Sequence, residues 1–238
     1  MTGRNFQSGD RFDQFAGSYD CALAKGLSST GEDREFFARG RIRWLQASLD
    51  RLGFHPENVM EFGCGTGANL PLLRKITGVK SVLGIDVSEK TIEVAKRSVD
   101  PSVVNFARPS DYRPAGRIDL AFCNGVFHHI DPGERAWAVE YIRDCLRPGG
   151  MFALWENNPW NPGTRLVMKR IPFDRDAITL TASEGRNLLK AAGLRILRTD
   201  YLFIFPHALR WLRPLEVPLS SLPLGGQYQI LGKKPAPV

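Results

Sequence analysis

A chain of 238 residues, 43% hydrophobic and 24% charged, has room for one globular domain with elaborations. No run approaches the roughly 18 apolar residues of a membrane span, and the polar residues 1–10 hold no signal-peptide core, so a cytoplasmic protein without integral membrane association is expected. The net charge of +7 arises almost wholly after residue 155, where twelve Lys or Arg face six Asp or Glu, but without the dense basic run of a nucleic-acid groove.

Residues 1–55 read as helical and separate from the sheet. Phe12, Phe15 and Tyr19 lie three and four apart, on one helical face. Ser28-Ser29-Thr30-Gly31 breaks that pattern, and a second, charged helix carries Phe36, Phe37, Ile42, Leu45 and Leu49 to a stop near Gly53. From Val59 strands and helices alternate. Strands are predicted over 58–62, 81–86, 103–107, 118–124 and 151–155. Helices are predicted over 68–75, from an N-cap at Ser88 to about 98, over 132–146, and from Thr181 to Gly193. Strands over 194–205 and 228–233 close the chain as a hairpin. The expected architecture is α/β: a Rossmann-like, seven-stranded, mostly parallel sheet with an antiparallel last strand and helices on both faces. Residues 157–180 and 206–227 interrupt the alternation beyond strand ends. Ligands bind there in open α/β sheets, so both are expected to cap a pocket. Cys21, Cys64, Cys123 and Cys145 form no C-x-x-C pair and read as free thiols, with no metal site expected.

The chemistry centres on Glu61-Phe62-Gly63-Cys64-Gly65-Thr66-Gly67, where an apolar strand ends in an acid and three alternate glycines precede a helix. Glycine permits the tight turn and lets a ligand approach bare backbone. Gly63-x-Gly65-x-x-Ala68 alone also fits a dinucleotide fingerprint. A second apolar run, 81–85, ends in Asp86, which places a carboxylate where a bound ribose would lie. With Asn124-Gly125-Val126-Phe127-His128-His129-Ile130, Leu146-Arg147-Pro148-Gly149-Gly150 and a strand ending in Glu156, residues 56–156 resemble the class I S-adenosylmethionine (SAM) methyltransferases. The stretch 12–20 is similar to the F-D-x-x-A-x-x-Y-D of quinone-type members.

The resemblance implies SAM as cofactor and an N-terminal helical lid over residues 1–55. The rest, 56–238, would be the methyltransferase domain. It implies that Tyr19, Glu61, Gly63, Cys64, Gly65, Gly67, Asp86, Val87, Asn124 and Gly125 contact the cofactor. Relatives carry an acidic adenine contact after strand three; here Pro109-Ser110-Asp111 stands in its place, leaving Ser110 or Asp111 for the task. His128 and His129 are candidates for a general base toward a hydroxyl acceptor, His129 slightly ahead. An already ionised acceptor needs no base. Asn157-Asn158-Pro159-Trp160 follows strand five rather than strand four and has one proline, unlike the N-P-P-Y of nucleic-acid amino-methyltransferases. The implied activity is methyl transfer to a small molecule, most readily at oxygen, anionic or lipophilic given the basic, aromatic cap. No nucleic-acid partner is expected. Alternatives are a non-catalytic SAM-binding protein, an NAD(P) oxidoreductase, or an RNA or protein methyltransferase.

Overall fold

The computed structural model describes residue 13 and residues 19–100 and 102–236; the other positions, and the side chains of residues 19 and 20, lie outside the described part. Helix α1 (Tyr19–Leu27) runs through a 3-10 turn, Ser28–Thr30, toward α2 (Arg34–Arg51). Asp33 caps α2 by accepting from Phe36 N. Next come β1 (Asn58–Phe62), α3 (Leu70–Leu73), β2 (Ser81–Ile85), α4 (Glu89–Ser98), β3 (Val104–Ala107) and β4 (Ile118–Asn124). A 3-10 turn, Phe127–His129, precedes α5 (Arg135–Cys145), β5 (Leu146–Asn157), α6 (Pro162–Arg170) and α7 (Ala182–Ala191). Strand β6 (Arg195–Leu202), a 3-10 segment (His207–Leu215), α8 (Glu216–Leu219) and β7 (Gln227–Lys233) complete the described chain.

The seven strands form one sheet in the order β3-β2-β1-β4-β5-β7-β6. Strands β1 to β5 pair in parallel, and β7 runs antiparallel to both β5 and β6, so six strands share one direction. The period-two alternation of a strand sorts neighbours into opposite layers. Met60, Ala121, Cys123, Phe152 and Leu154 pack on one face with α5 and α7. Val59, Leu120, Phe122, Met151, Ala153 and Trp155 pack on the other with α2 and α3. Helix α2 is therefore part of a sheet layer, through Ile42, Leu45 and Leu49, rather than separate from the sheet. Its apolar face needed a partner, and this face of the sheet supplies it, with Trp44 Nε1 donating to Asp200 Oδ2 of β6 and Arg41 to Gln227 of β7.

Local differences from the sequence expectations have local causes. The helix expected over 68–75 shrinks to Leu70–Leu73, because Lys75 N and Ile76 N bond three residues back, to Leu72 O and Leu73 O, and tighten the chain into turns. Helix α5 starts at Arg135 rather than 132, since Asp131 Oδ1 holds Gly133 N in a turn. Strand β6 ends at Leu202 because Phe203 takes φ 62°, which leaves the extended region.

Candidate active site

The sheet order reverses between β1 and β4, so the loops leaving these strands diverge and open a crevice at their carboxyl ends. Two adjoining cavities fill it. The smaller is lined by Gly63, Gly65, Asp86, Val87, Pro109 and Thr91 among others; the larger, of about 500 Å³, runs under the cap. Asn124, Gly125 and His129 belong to both walls.

The glycines differ in role. Gly63 has φ 75°, and a Cβ there would stand 2.2 Å from Val126 Cγ2, so it packs loop against loop. Gly67 (φ 84°) lies against Ala95 and Leu70. Gly65 (φ 50°) would point a Cβ at nothing within 4 Å, toward the cavity it lines. Asp86 fixes that loop: Oδ2 accepts from Gly65 N at 2.7 Å, and Oδ1 from Ser88 N at 2.9 Å. Burial raises the Asp86 pKa against these stabilising bonds. Ser88 also caps α4, accepting from Thr91 N.

Buried acceptors without donors lie in and behind the wall at the junction: Asn124 lines both cavities, Asn69 the larger one, and Glu61 neither. Glu61 Oε1 accepts from Asn69 Nδ2 at 2.7 Å, while Glu61 Oε2, Asn69 Oδ1 and Asn124 Oδ1 have no hydrogen-bond partner among the described residues. Burial drives the Glu61 pKa up to about 8 despite Asn69 and the charge of Arg41. Orphaned acceptors of this kind suit a ligand that brings an ammonium group. Together with the Asp86 carboxylate and the open cradle at Gly65, this donor-poor wall fits the aminoacyl and ribose parts of SAM.

Across the junction lies a buried ionic cluster. Glu156, at the end of β5, accepts from Val126 N (3.0 Å) and Phe127 N (2.7 Å) and meets His128 Nδ1 at 2.6 Å. It thereby pins the 3-10 turn against the sheet. Asp174 Oδ1 lies 3.1 Å from His129 Nε2 and 3.5 Å from His128 Nε2. Burial pulls the His128 pKa down, but Glu156 and Asp174 outweigh it and raise it to about 10. The two imidazoles hold Asp174 at about 2 against its burial. His129 is lowered, by burial and by the His128 charge, and is the neutral member at pH 7. Among the described residues His128, His129 and Asp174 also bring three metal-type donors within 4.8 Å, a spacing absent from the expectation of no metal site.

The larger cavity is walled by Phe36, Phe37 and Phe203, whose rings meet edge to face at 5.0–6.1 Å. Arg213 lies over Phe36 at 4.4 Å and pairs with Glu32 at 2.6 Å. Of the cap's Lys and Arg residues, Arg213 alone lines this cavity; Arg34 and Arg41, from α2, line it too.

Several expected cofactor residues fall elsewhere. Ser110 and Asp111 are exposed and line neither cavity, Asp111 accepting from Ser110 Oγ and Arg108 Nε; buried Pro109, of the same loop, lines the smaller one. Buried Cys64 lines neither, its Sγ packing beneath Gly84. The side chain of Tyr19 lies outside the described residues. Asp174 and Glu156 escaped sequence reading as site residues, although the carboxylate closing β5 was visible as a strand end.

A family model described as a methyltransferase domain matches residues 59–150. The trans-aconitate 2-methyltransferase of Azoarcus sp. is 27% identical over 146 residues, which are 60% of this chain and 57% of that one. The ribosomal protein L11 methyltransferase of Paraburkholderia phymatum is 26% identical over 115 residues, 48% of this chain and 35% of that one. The chain thus spans between a third and somewhat over half the length of these two relatives. In solved structures the fold recurs in a SAM-dependent methyltransferase of Thermotoga maritima, described as a possible histamine N-methyltransferase. Its TM-score is 0.61, with 20% identity over 95% of this chain and 99% of that one. A chain in the complex between the Haloferax volcanii Trm112 methyltransferase activator and a putative methyltransferase gives a TM-score of 0.64, with 20% identity over 97% and 98%. The glycine loop, the sheet with its antiparallel seventh strand and the matched region agree: residues 59–150 match a methyltransferase domain, and the fold is similar to that of SAM-dependent methyltransferases.

Proposed function

We propose that the chain transfers a methyl group from SAM to the oxygen of a small, largely apolar acceptor held in the larger cavity. The observation that carries this reading is the shared wall. Asn124, Gly125 and His129 border the cofactor-side cavity and the aromatic cavity alike, so two ligands would meet there. SAM, when bound, supplies an electrophilic sulfonium methyl that leaves by in-line displacement. What the chain supplies is placement, which alone is worth several kcal/mol. Asp86 would hold the ribose hydroxyls, and Glu61 with Asn69 and Asn124 the ammonium end. Phe36, Phe37 and Phe203 would orient the acceptor and exclude water. His129, kept neutral, would take the acceptor's hydroxyl proton. His128 is held as a cation between two carboxylates, so its part is to fix Asp174 and, through it, the His129 ring. The insertions 157–180 and 206–227 would close the pocket.

The test is calorimetric titration with SAM, followed by radiolabelled methyl transfer to a panel of phenols, carboxylates and amines. Methylated phenol supports the reading. SAM binding without transfer to any class would favour a non-catalytic SAM-binding role, and saturable NAD binding in place of SAM would favour the oxidoreductase alternative.

A further inference from the structure

The cap carries an exposed apolar surface that the proposed chemistry does not use. Trp160 is 74% exposed and Trp211 72%, and Leu166, Leu215, Val217 and Leu224 are each about half exposed. They come from the two insertions, which both line the larger cavity, and residues 158–164 of the first are tied to 223–226 of the second. Asn158 Nδ2 donates to Pro223 O and Gly225 O, Asn161 Nδ2 to Leu224 O, and Thr164 Oγ1 to Gly226 O. Leu166 also lines the larger cavity, so the apolar surface reaches its mouth. Aromatic and aliphatic groups in this number, left to water, mark an interaction surface.

The charge around the patch says what covers it. Arg165, Lys169, Arg170, Arg175 and Arg210 are exposed on the same two insertions, against one exposed carboxylate, Asp176. No ion pair among the described residues joins any of these five cations to an acid. Tryptophan prefers the headgroup level of a bilayer, and cationic side chains beside apolar ones are the signature of segments lying in the interface plane. No helix among the described residues is long and apolar enough to cross a membrane.

We propose that this face of the cap docks onto a bilayer bearing anionic lipids, Trp160 and Trp211 entering the headgroup layer and the five cations resting on its negative surface. The cavity mouth then faces the membrane, and the acceptor is an amphiphile that passes from the lipid phase into the aromatic pocket. This last step rests on the methyl-transfer reading; the docking does not.

The full chain, without cofactor or acceptor, is sedimented with sucrose-loaded vesicles of phosphatidylcholine alone and with added phosphatidylglycerol. Wild type should bind the anionic vesicles, with a blue shift of tryptophan emission, and much more weakly the neutral ones. Each exposed charge removed, as in Arg165→Gln and Arg170→Gln, should cost roughly fivefold. Trp160→Ser with Trp211→Ser should lower binding at least tenfold while the melting temperature holds, because neither ring supports the core. Wild type that fails to sediment with anionic vesicles overturns the docking, as does a tryptophan variant that binds like wild type. Light scattering that shows a dimer dissolved by the tryptophan changes would make this face an interface between copies, and would overturn it too. None of these outcomes bears on SAM binding or methyl transfer, which stand or fall by the labelled assay.

Discussion

Glu61 offers the sharpest test of how the cofactor wall works. Its carboxyl is buried, one oxygen has no donor among the described residues, and burial pushes its pKa up to about 8 from 4.5 for the free group. A carboxyl whose folded pKa is raised binds its proton more tightly folded than unfolded. Its unfavourable contribution is thus absent below about pH 4.5 and grows until the pH passes 8. Linkage puts the cost at about 1.4 kcal/mol at pH 5.5 and about 4 kcal/mol at pH 7.5. Glu61→Gln keeps the bond to Asn69 and cannot ionise. In urea unfolding without ligand, the wild type should therefore lose about 2.5 kcal/mol more than the variant between these two pH values. Titratable groups common to both proteins largely cancel in the comparison. The ammonium of SAM should reverse the preference. Binding should release most of one proton at pH 7.5, read from the dependence of calorimetric heat on buffer ionisation enthalpy, and the variant should bind SAM more weakly and release none. Parallel stability profiles for the two proteins, or equal proton release, would show that Glu61 is neither strained nor part of the site.

Asp86→Ala should weaken SAM at least about tenfold, the roughly 1.5–3 kcal/mol of a hydrogen bond to a charged group; calorimetry on the folded variant decides it. The glycines should separate by role. Gly63→Ala drives a methyl into Val126 and should lower the melting temperature, whereas Gly65→Ala should remain folded and lose SAM binding, the pattern a purely structural loop would not give. His129→Ala should lower kcat by about 10²–10⁴. Because the His129 pKa lies below its usual 6.5, the wild-type rate should fall only on an acid limb with its midpoint under that value. A rate flat down to pH 5 would mean that the acceptor reacts already ionised.

The local features of this chain were legible because they rest on neighbours in sequence. Consecutive apolar residues such as Val59 and Met60 announce a strand buried on both faces, Ser88 and Thr181 announce helix starts, and Gly63 to Gly67 with Asp86 beyond them announce the nucleotide-side loop. Whatever depends on bringing distant segments together was decided by the tertiary structure. Asp174 lies 45 residues beyond His129, on a loop that only α6 and the end of β5 carry back to it, and no periodicity links the two. The cationic wall comes mainly from Arg34 and Arg41 on α2 instead of the basic cap, because the apolar face of α2 is drawn onto the sheet and carries those side chains with it. Five basic side chains of the cap were left outside, since a charge next to solvent keeps its hydration while one turned inward must find a partner, and Arg213 turned inward because Glu32 was there to meet it.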